Sequence, residues 1–398
     1  MTVPTLDAEP ACPGAAAALP HDPHPDVAAP RLRAERRLFA DIAPATWDRL
    51  AAENPWATPF DAWAFHRAWW DAYADNAHEE TLVIVAADAT PGAEPVAIVP
   101  LMHRHEVEPS DALTHTKMRH GADTLLTPVA PAAKAIFFGA SYHADYATVL
   151  APRPLLPAVC EAVATYLAGP DCGDWDVVDL RRLRCGDPTA EALAQAAETA
   201  GQPRGWTVAL EREDVCPVVT LPDGTDMEGY LATLGKKERH EIRRKVRRAE
   251  AIGPIRLDDA ADPLAELESF IDLHQKRWGV DGLFPDTAGG AQSRVLIRRL
   301  FELFGAGGPL RLTFLSVGGR RIAAGIHFLT TDGILYYNAG IDPDARELSP
   351  GVLMVYAYVE RALALGLRRL DFLRGDEPYK YEWGAVDEPI RRLLVRRS

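Results

Sequence analysis

The chain moves between two apolar rhythms. In PFDAWAFHRAWWDAYA, Phe60, Trp63, Ala64, Arg67 and Trp70 fall near helical spacing, and TWDRLAAEN just before it reads the same way. An aromatic stripe of this kind belongs to a core more often than to a binding site. The period then shortens. TLVIVAAD and PVAIVPLMHRH read as two strands around the turn ATPGAE, and DYATVLAP as a third. LPAVCEAVATYLA is a helix and WDVVDLRRL a further strand. The same order returns about 200 residues later, the spacing expected of an internal duplication. LRLTFLSV and RRIAAGIHFL are strands around Gly318-Gly319, and GILYYNAGIDP is the next. SPGVLMVYAYVERALALG is a helix with Val352, Tyr356, Val359 and Leu363 on one face and Gly366 as its stop. LRRLDFL is the closing strand.

Strand, strand, strand, helix, strand thus occurs twice, as a repeat of pattern and not of identity. Between the copies, residues 225–305 are largely helical. The expected division is a disordered, Ala- and Pro-rich leader over 1–33, a first domain over 34–205 and a second over 206–398. The order of elements argues an α/β (α+β) fold, in which each half has a mixed, mainly antiparallel sheet flanked by helices.

Composition changes little in this picture. Hydrophobic residues make up 47% and charged residues 25%, which allows an ordinary globular core. The formal net charge of −14 argues against a general binder of nucleic acid or anionic membranes. The five cysteines (Cys12, Cys160, Cys172, Cys185 and Cys216) form no CxxC pair and fit a reducing cytoplasm better than a disulfide framework. No apolar run approaches the about 18 residues of a membrane span, and the N-terminus lacks the pattern of a secretory signal. His103 and His105, with His115, His120 and His143 nearby, could meet at a metal. No cysteine or carboxylate completes a familiar ligand spacing, so no metal is expected. Walker, GxGxxG, HExxH and GxSxG motifs are all missing.

Five stretches could carry chemistry. From Lys236 to Arg248, eight Lys or Arg and two Glu give a local balance of +6 in an acidic chain. This is either a solvated helix face with Glu–Lys pairs or a platform for an anion such as phosphate. Lys236, Arg239 and Arg243 are its candidate contacts. In ELSPGVLM, Ser349 suits a helix cap and Pro350 a first turn, while Gly351 lets backbone approach a ligand beside Val352. In LHQKRWGVDGLF, His274 reads as a core histidine; Trp278 and Phe284 either line a pocket or plug the core. In ASYHADYATVL, Asp145 and Tyr146 offer a binding group or base, or else cap a turn. Last, DFLRGDEPYKYEWGA crowds Arg374, Glu377, Tyr379, Lys380, Tyr381 and Trp383 directly after a strand.

Taken in order, KKERHEIRRKVRR, LHQKRWGVDGLF, RRIAAGIHF, YYNAGIDP, LSPGVLMVYAYVERAL and DFLRGDEPYKYEWGA resemble the GNAT-type acyltransferases of the CelD-like (cellulose-biosynthesis) group, related to the FemABX peptidyltransferases. HADYATVL and WDVVDLRRL extend the resemblance into the first half, so it covers roughly residues 40–395 and implies tandem GNAT-like halves. It implies a sheet that splays between GILYYNAGI and LRRLDFL, with an acyl thioester in the gap. Acetyl-CoA or another acyl-CoA is then the donor, and its diphosphate sits around Ser349, Pro350, Gly351 and Val352. Only Gly351 matches a glycine of the usual GNAT phosphate pattern. Backbone at Asn338, Ala339 and Gly340 would stabilise the oxyanion. Tyr379 or Tyr381 would protonate the leaving thiolate, and Glu377 or Asp145 would act as base. Lys380 matches the lysine of a FemABX-like Phe-Lys-x-x-Phe-Gly element and would neutralise charge at the reacting centre. Tyr146, Tyr337, Trp278, Phe284, Arg374 and Trp383 would contact the acceptor, an amine on an amino sugar or a lipid-linked envelope precursor. A FemABX-like transferase using aminoacyl-tRNA, and a non-catalytic module binding nucleic acid or another anion, are the alternatives. APRPLLPAV, poor in N–H donors, stands at the equivalent place in the first half, so a single donor site is expected.

Overall fold

The computed structural model describes residues 30–104, 126–130 and 132–397. The first half runs β1 (Leu32–Arg36), α1 (Pro44–Glu53), α2 (Trp63–Tyr73), β2 (His78–Glu79), β3 (Leu82–Ala86), β4 (Ala97–Val99), β5 (Leu101–Arg104), β6 (Ala135–Phe138), α3 (Leu156–Ala168), β7 (Val177–Arg184) and α4 (Thr189–Gly201). The second begins with β8 (Thr207–Thr220), α5 (Met227–Thr233), α6 (Lys236–Glu250), β9 (Ile255–Asp259), α7 (Pro263–Trp278) and α8 (Ala288–Phe304). It continues with β10 (Leu310–Val317), β11 (Arg320–Leu329), β12 (Gly333–Ile341), α9 (Pro350–Ala364), β13 (Arg369–Asp371), the short α10 (Pro378–Tyr381) and β14 (Val386–Arg396).

Eleven strands form one sheet in the order β2-β5-β6-β7-β14-β8-β13-β12-β11-β10-β9, and β1, β3 and β4 form a second, three-stranded sheet. The pairing is antiparallel except at β6–β7 and β12–β13, where a helix crosses between parallel strands. The fold is thus mixed α/β, with the α+β character the sequence implied. The hairpin β10–β11 closes on Gly318 and Gly319, whose φ of +56° and +85° are the left-handed values a tight two-residue turn needs.

β14, last in the sequence, inserts between β7 of the first half and β8 of the second, so the two halves share a ladder. A buried ionic group seals this seam. Arg392, fully buried, places Nε and Nη2 at 2.6 Å from the two carboxylate oxygens of Asp179, and Nη1 at 3.0 Å from Glu211. Burial raises the Asp179 pKa, but Arg392 and Arg181 outweigh it and hold the carboxyl below its ordinary range.

Three apolar clusters follow. One fills the first half between its sheets, α3 and α4. One lies under α5, α6 and α9. The third joins α2 of the first half to α7 and α8 of the second, and holds Phe60, Phe65 and Trp69 with Phe270, Phe301 and Phe328. On α2 the buried face is Phe65, Ala68, Trp69 and Tyr73; of the stripe read from sequence, Phe60 and Trp70 are core, while Trp63, Ala64 and Arg67 are only half-buried.

Several expectations need correction. PVAIVPLMHRH is not one strand: it breaks at Pro100 into β4 and β5, which lie in different sheets. DYATVLAP makes only an isolated bridge, Leu150 with Ile98. Its groups are held instead by scattered partners: Ala147 N–H donates to Arg182 O, Thr148 N–H to Asp61, and Asn54 Nδ2 to Val149 O. On α9 the buried face is Leu353, Met354, Tyr358, Val359 and Ala362; of the face read from sequence, Val352, Tyr356 and Leu363 are only half-buried flank. The leader was expected to run to residue 33, yet Leu32 and Arg33 pair in β1. Cys12, His105, His115 and His120 lie outside the described residues. Among the described residues, no group of three or more His, Cys, Asp or Glu could hold a metal, and no helix is long and apolar enough to cross a membrane.

Candidate active site

β12 and β13 pair for only three residues, Gly333–Leu335 against Arg369–Asp371. Two local features part them. In β12 the register against β11 slips between Tyr336↔His327 and Asn338↔Ile326, leaving Tyr337 as an extra residue, and such a bulge increases strand twist. After β13 the chain follows β8 instead, with Phe372 N–H on Pro217 O and Gly375 N–H on Val215 O, and Leu373 sits at a φ of +55°. The far half of β12 is left with an open edge. Asp342 N–H bonds to Ile322 O at 2.9 Å. By antiparallel alternation, the Gly340 and Asn338 N–H groups turn toward β11, while those of Ile341 and Ala339 turn toward the gap.

A cleft of about 280 Å³ continues this gap. Its walls are Tyr336 and Ile341 of β12, the turn from Asp342 to Ser349, the first residues of α9, and Tyr379 with Trp383. The start of α9 is short of N–H groups. Pro350 has none, and Val352 N–H already bonds to Ser349 O at 2.9 Å. Ser349 does not cap the helix with its side chain. It adopts φ +56° and ψ +56°, and its Oγ accepts from Arg248 Nη2 of α6 at 2.9 Å. Positive charge comes from side chains instead. Arg277 and Arg346 both line the cleft, and neither makes an ion pair among the described residues. Arg277 lies 4.5 Å over the exposed Trp278 ring, so Trp278 supports a wall residue without being one.

Two tyrosines face this space. Neither the Tyr336 nor the Tyr379 hydroxyl hydrogen-bonds to a described residue. Burial pushes Tyr336 up to about 12, and burial, then Tyr336 and Glu377, push Tyr379 higher still. Both phenols are protonated at neutral pH and can donate. Trp383 is buried behind them, and its carbonyl accepts from Tyr230 at 2.5 Å.

The other residues singled out from sequence are placed elsewhere. Lys380 is buried, with Nζ donating to Leu373 O, Arg374 O and Gly375 O at 3.2, 2.9 and 2.9 Å and facing Glu377 at 2.9 Å. Its donors are spent on shaping this loop, not on a charge at the reacting centre. Glu377, its partner, is half exposed. Tyr381 donates to Asp387 at 2.6 Å and does not line the cleft. Asp145 pairs with Arg374 at 3.4 Å, beside Tyr337, whose hydroxyl donates to His143 O at 2.9 Å. Tyr146 is buried and donates to Asp371 at 2.8 Å. Phe284 is core, packed on Phe270 and His274. Gly340 serves helix packing: a Cβ there would meet His274 N of α7 at 2.4 Å. On α6, Lys236 is exposed, Arg239 donates to Ala232 O at 3.3 Å and Arg243 pairs with Glu228.

Sequence reasoning missed Tyr336, Arg277, Arg346 and Arg248. Tyr336 stood next to Tyr337, but only the bulge decides which ring faces the cleft. The arginines sat inside motifs read for other residues, and their convergence is a tertiary fact.

Residues 236–381 match a family described as an acetyltransferase (GNAT) domain. The fold is GNAT-like. That match supports an acyltransferase. Among solved structures, this chain is similar to FemX, with a TM-score of 0.53 at 10% identity over 90% of this chain and 96% of that one. It is also similar to a protein of unknown function from Bacteroides thetaiotaomicron, with a TM-score of 0.51 at 12% identity over 90% and 98% of the two chains. A third is the C-terminal domain of a putative lysylphosphatidylglycerol synthetase from Agrobacterium fabrum, at 0.50 and 10% over 89% and 93%. At such identities the likeness is one of fold alone. No curated protein matches the sequence.

Proposed function

We propose that this protein is an N-acyltransferase that takes an acyl thioester, acetyl-CoA or another acyl-CoA, in the gap between β12 and β13. The observation that carries the reading is the open edge of β12 leading into a cleft with two unpaired arginines at the start of α9. Arg277, Arg346 and Arg248, with the Gly351 N–H, would hold the donor diphosphate. The Ala339 N–H would face the thioester oxygen. The amine nitrogen attacks the carbonyl carbon, the C–N bond forms and the C–S bond breaks. Tyr379 then gives its proton to the thiolate, while the amine's proton leaves to a base or water. Asp145, sheltered beside Arg374, suits that base better than the half-exposed Glu377. The acceptor class, an amine on an amino sugar or lipid-linked envelope precursor in the cytoplasm, follows from the CelD-like resemblance.

Titration calorimetry of acetyl-CoA tests the donor site. The wild type should bind, and Gly351→Glu, whose side chain would fill the cleft, should lose at least a hundredfold. Absence of wild-type binding, or equal binding by the variant, would defeat the reading.

A FemABX-like aminoacyl transfer from tRNA is the second reading. It is favoured by the exposed cations of α6, Lys237 and Arg247 among them, next to the same cleft. RNA affinity that falls steeply with salt, and is lost in Lys237→Glu/Arg247→Glu, would select it.

A further inference from the structure

At the other end of α9 lies a second cleft, of about 620 Å³, between the last turns of the helix and β9, β10 and β11. It is lined by Glu360 and Leu365 of the helix end, whereas the first cleft meets Gly351. At 1.5 Å per residue, Gly351 and Glu360 are roughly 13 Å apart along the helix. The mechanism above uses none of its residues.

His327 lines this cleft while only 1% exposed. Proton counting assigns its tautomer. Thr313 Oγ donates to Gly325 O at 3.1 Å, which spends its one proton. The Tyr358 hydroxyl, 2.7 Å away, must therefore donate to Thr313 Oγ. The Tyr358 oxygen then accepts from His327 Nδ1 at 3.1 Å. With Nδ1 protonated, Nε2 keeps a lone pair. It has no hydrogen-bond partner among the described residues and is not sealed from the cleft. Burial, then Arg361 and Arg311, push the His327 pKa down to about 3, which keeps the ring neutral at physiological pH.

The charges around it are unequally satisfied. Asp259 is paired with Arg361, which also donates to Leu257 O at 2.8 Å. Arg311 faces Asp259 with Nε at 4.0 Å and spends Nη1 on the carbonyls of Gly308 and Leu310, leaving Nη2 without a partner among the described residues. Glu360 has no ion pair among the described residues. One buried acceptor nitrogen, one unpaired carboxylate and one guanidinium edge thus face a shared space with an apolar wall.

We propose that this second cleft binds a small apolar amino acid. Its ammonium group donates to His327 Nε2 and faces Glu360, its carboxylate meets Arg311, and its side chain lies on Ile255, Leu257, Leu329 and Leu365. A ligand lacking either charge leaves one of these groups unmet, so the site discriminates zwitterions from simple amines and acids.

L-Leucine is the probe, with isoamylamine and 4-methylpentanoate as versions lacking the carboxylate or the amine. Calorimetry should show saturable L-leucine binding that weakens at least tenfold for each analogue. It should weaken as much in Glu360→Gln and Arg311→Gln, both at the open rim, while acetyl-CoA binding stays as in the wild type. Histidine-edited ¹⁵N NMR should show an unprotonated Nε2 on His327 that shifts on adding L-leucine, a readout that needs no variant to fold. The proposal is overturned by no saturable L-leucine binding, by isoamylamine or 4-methylpentanoate binding as tightly as L-leucine, by unchanged affinity in Glu360→Gln, or by a protonated Nε2.

Discussion

Each half contains a parallel strand pair that separates soon after it forms, β6–β7 in the first and β12–β13 in the second. In the first half the chain leaving β6 turns back into the gap. Tyr146 to Ala151 are all buried there, with Ala147 N–H on Arg182 O and Leu150 bridged to Ile98. In the second half the chain leaving β12 turns away through Asp342–Leu348, and the gap stays open as the first cleft. One architecture therefore makes a plug in one half and an open cleft in the other. Whether a segment fills or avoids its gap depends on who satisfies its backbone. Asn54, Asp61 and Asp187 reach in to hold the first-half segment, whereas Asp342 caps its own turn through Asp344 N–H. Donor titration should accordingly give one molecule per chain; two would break the comparison.

The largest effect should come from acid, and it tests whether the halves are one unit. Burial pushes His66 and His143 of the first half down to about 3, and His274 and His327 of the second to about 4 and 3. The unfolded chain binds these protons near the ordinary histidine pKa of about 6.5 and the folded chain does not. Stability is thus fully present above about pH 6.5 and is lost as pH falls toward the folded values. Four such groups together cost roughly 5 kcal/mol per pH unit well below pH 6.5, and Asp61, whose carboxyl burial raises to about 7, offsets about 1 kcal/mol per unit of that because it takes up its proton in the folded chain first. Urea midpoints at pH 7.5 and 5.5 measure it. Tryptophan fluorescence, dominated by Trp47, Trp69, Trp70 and Trp175 of the first half, should move with far-ultraviolet circular dichroism. Separated transitions would mean the halves unfold independently.

Next comes the seam. Arg392→Ala leaves Asp179 buried without its main partner and should cost about 3–5 kcal/mol in urea unfolding. Since β14 bridges both halves, the loss should be global. A loss confined to the first half would show that β14 belongs energetically to one copy.

Two glycines, Gly351 of the open cleft and Gly340 packed on α7, separate packing from binding. Gly340→Ala drives a Cβ into the α7 backbone and should cost about 1–3 kcal/mol by thermal unfolding. Gly351→Ala meets only Ile341 Cδ1, at 3.3 Å, and should leave stability within about 0.5 kcal/mol. Equal losses at the two positions would mean that the cleft is packed shut.

Legibility followed the range of the causes. The order of elements in the second half, the helicity of α2 and the β10–β11 turn are local patterns, and the sequence displayed them. DYATVL misled because its composition is that of a strand while its partners lie up to about 95 residues away; Asn54 holding Val149 is the clearest case. At the site, the ELSPGV start of α9 and Tyr379 were readable as motifs. The commitment of Lys380 to three carbonyls and of Tyr381 to Asp387 was not, because a lysine or tyrosine looks the same whether its polar atoms are spent or free. The arginines of the cleft come from α6, α7 and the turn before α9, which no spacing rule brings together.

The smallest effect is the most discriminating between plug and site. Ser349 holds a left-handed backbone without being glycine, a conformation that costs a side-chain-bearing residue about 1 kcal/mol or more. Its backbone joins the Pro343–Leu348 turn to α9, with its N–H on Arg346 O and its own carbonyl accepting from Val352, and its Oγ accepts from Arg248. Ser349→Gly removes the strain and loosens the unfolded chain, so thermal stability should rise by less than about 1 kcal/mol. Donor affinity should move the other way and weaken severalfold, because Arg248 loses the group that aims it at the start of α9. Gains in both would mean that the residue is merely a poor choice for its turn. A gain in stability with a loss in affinity would mark strain kept for binding in the half whose gap stayed open.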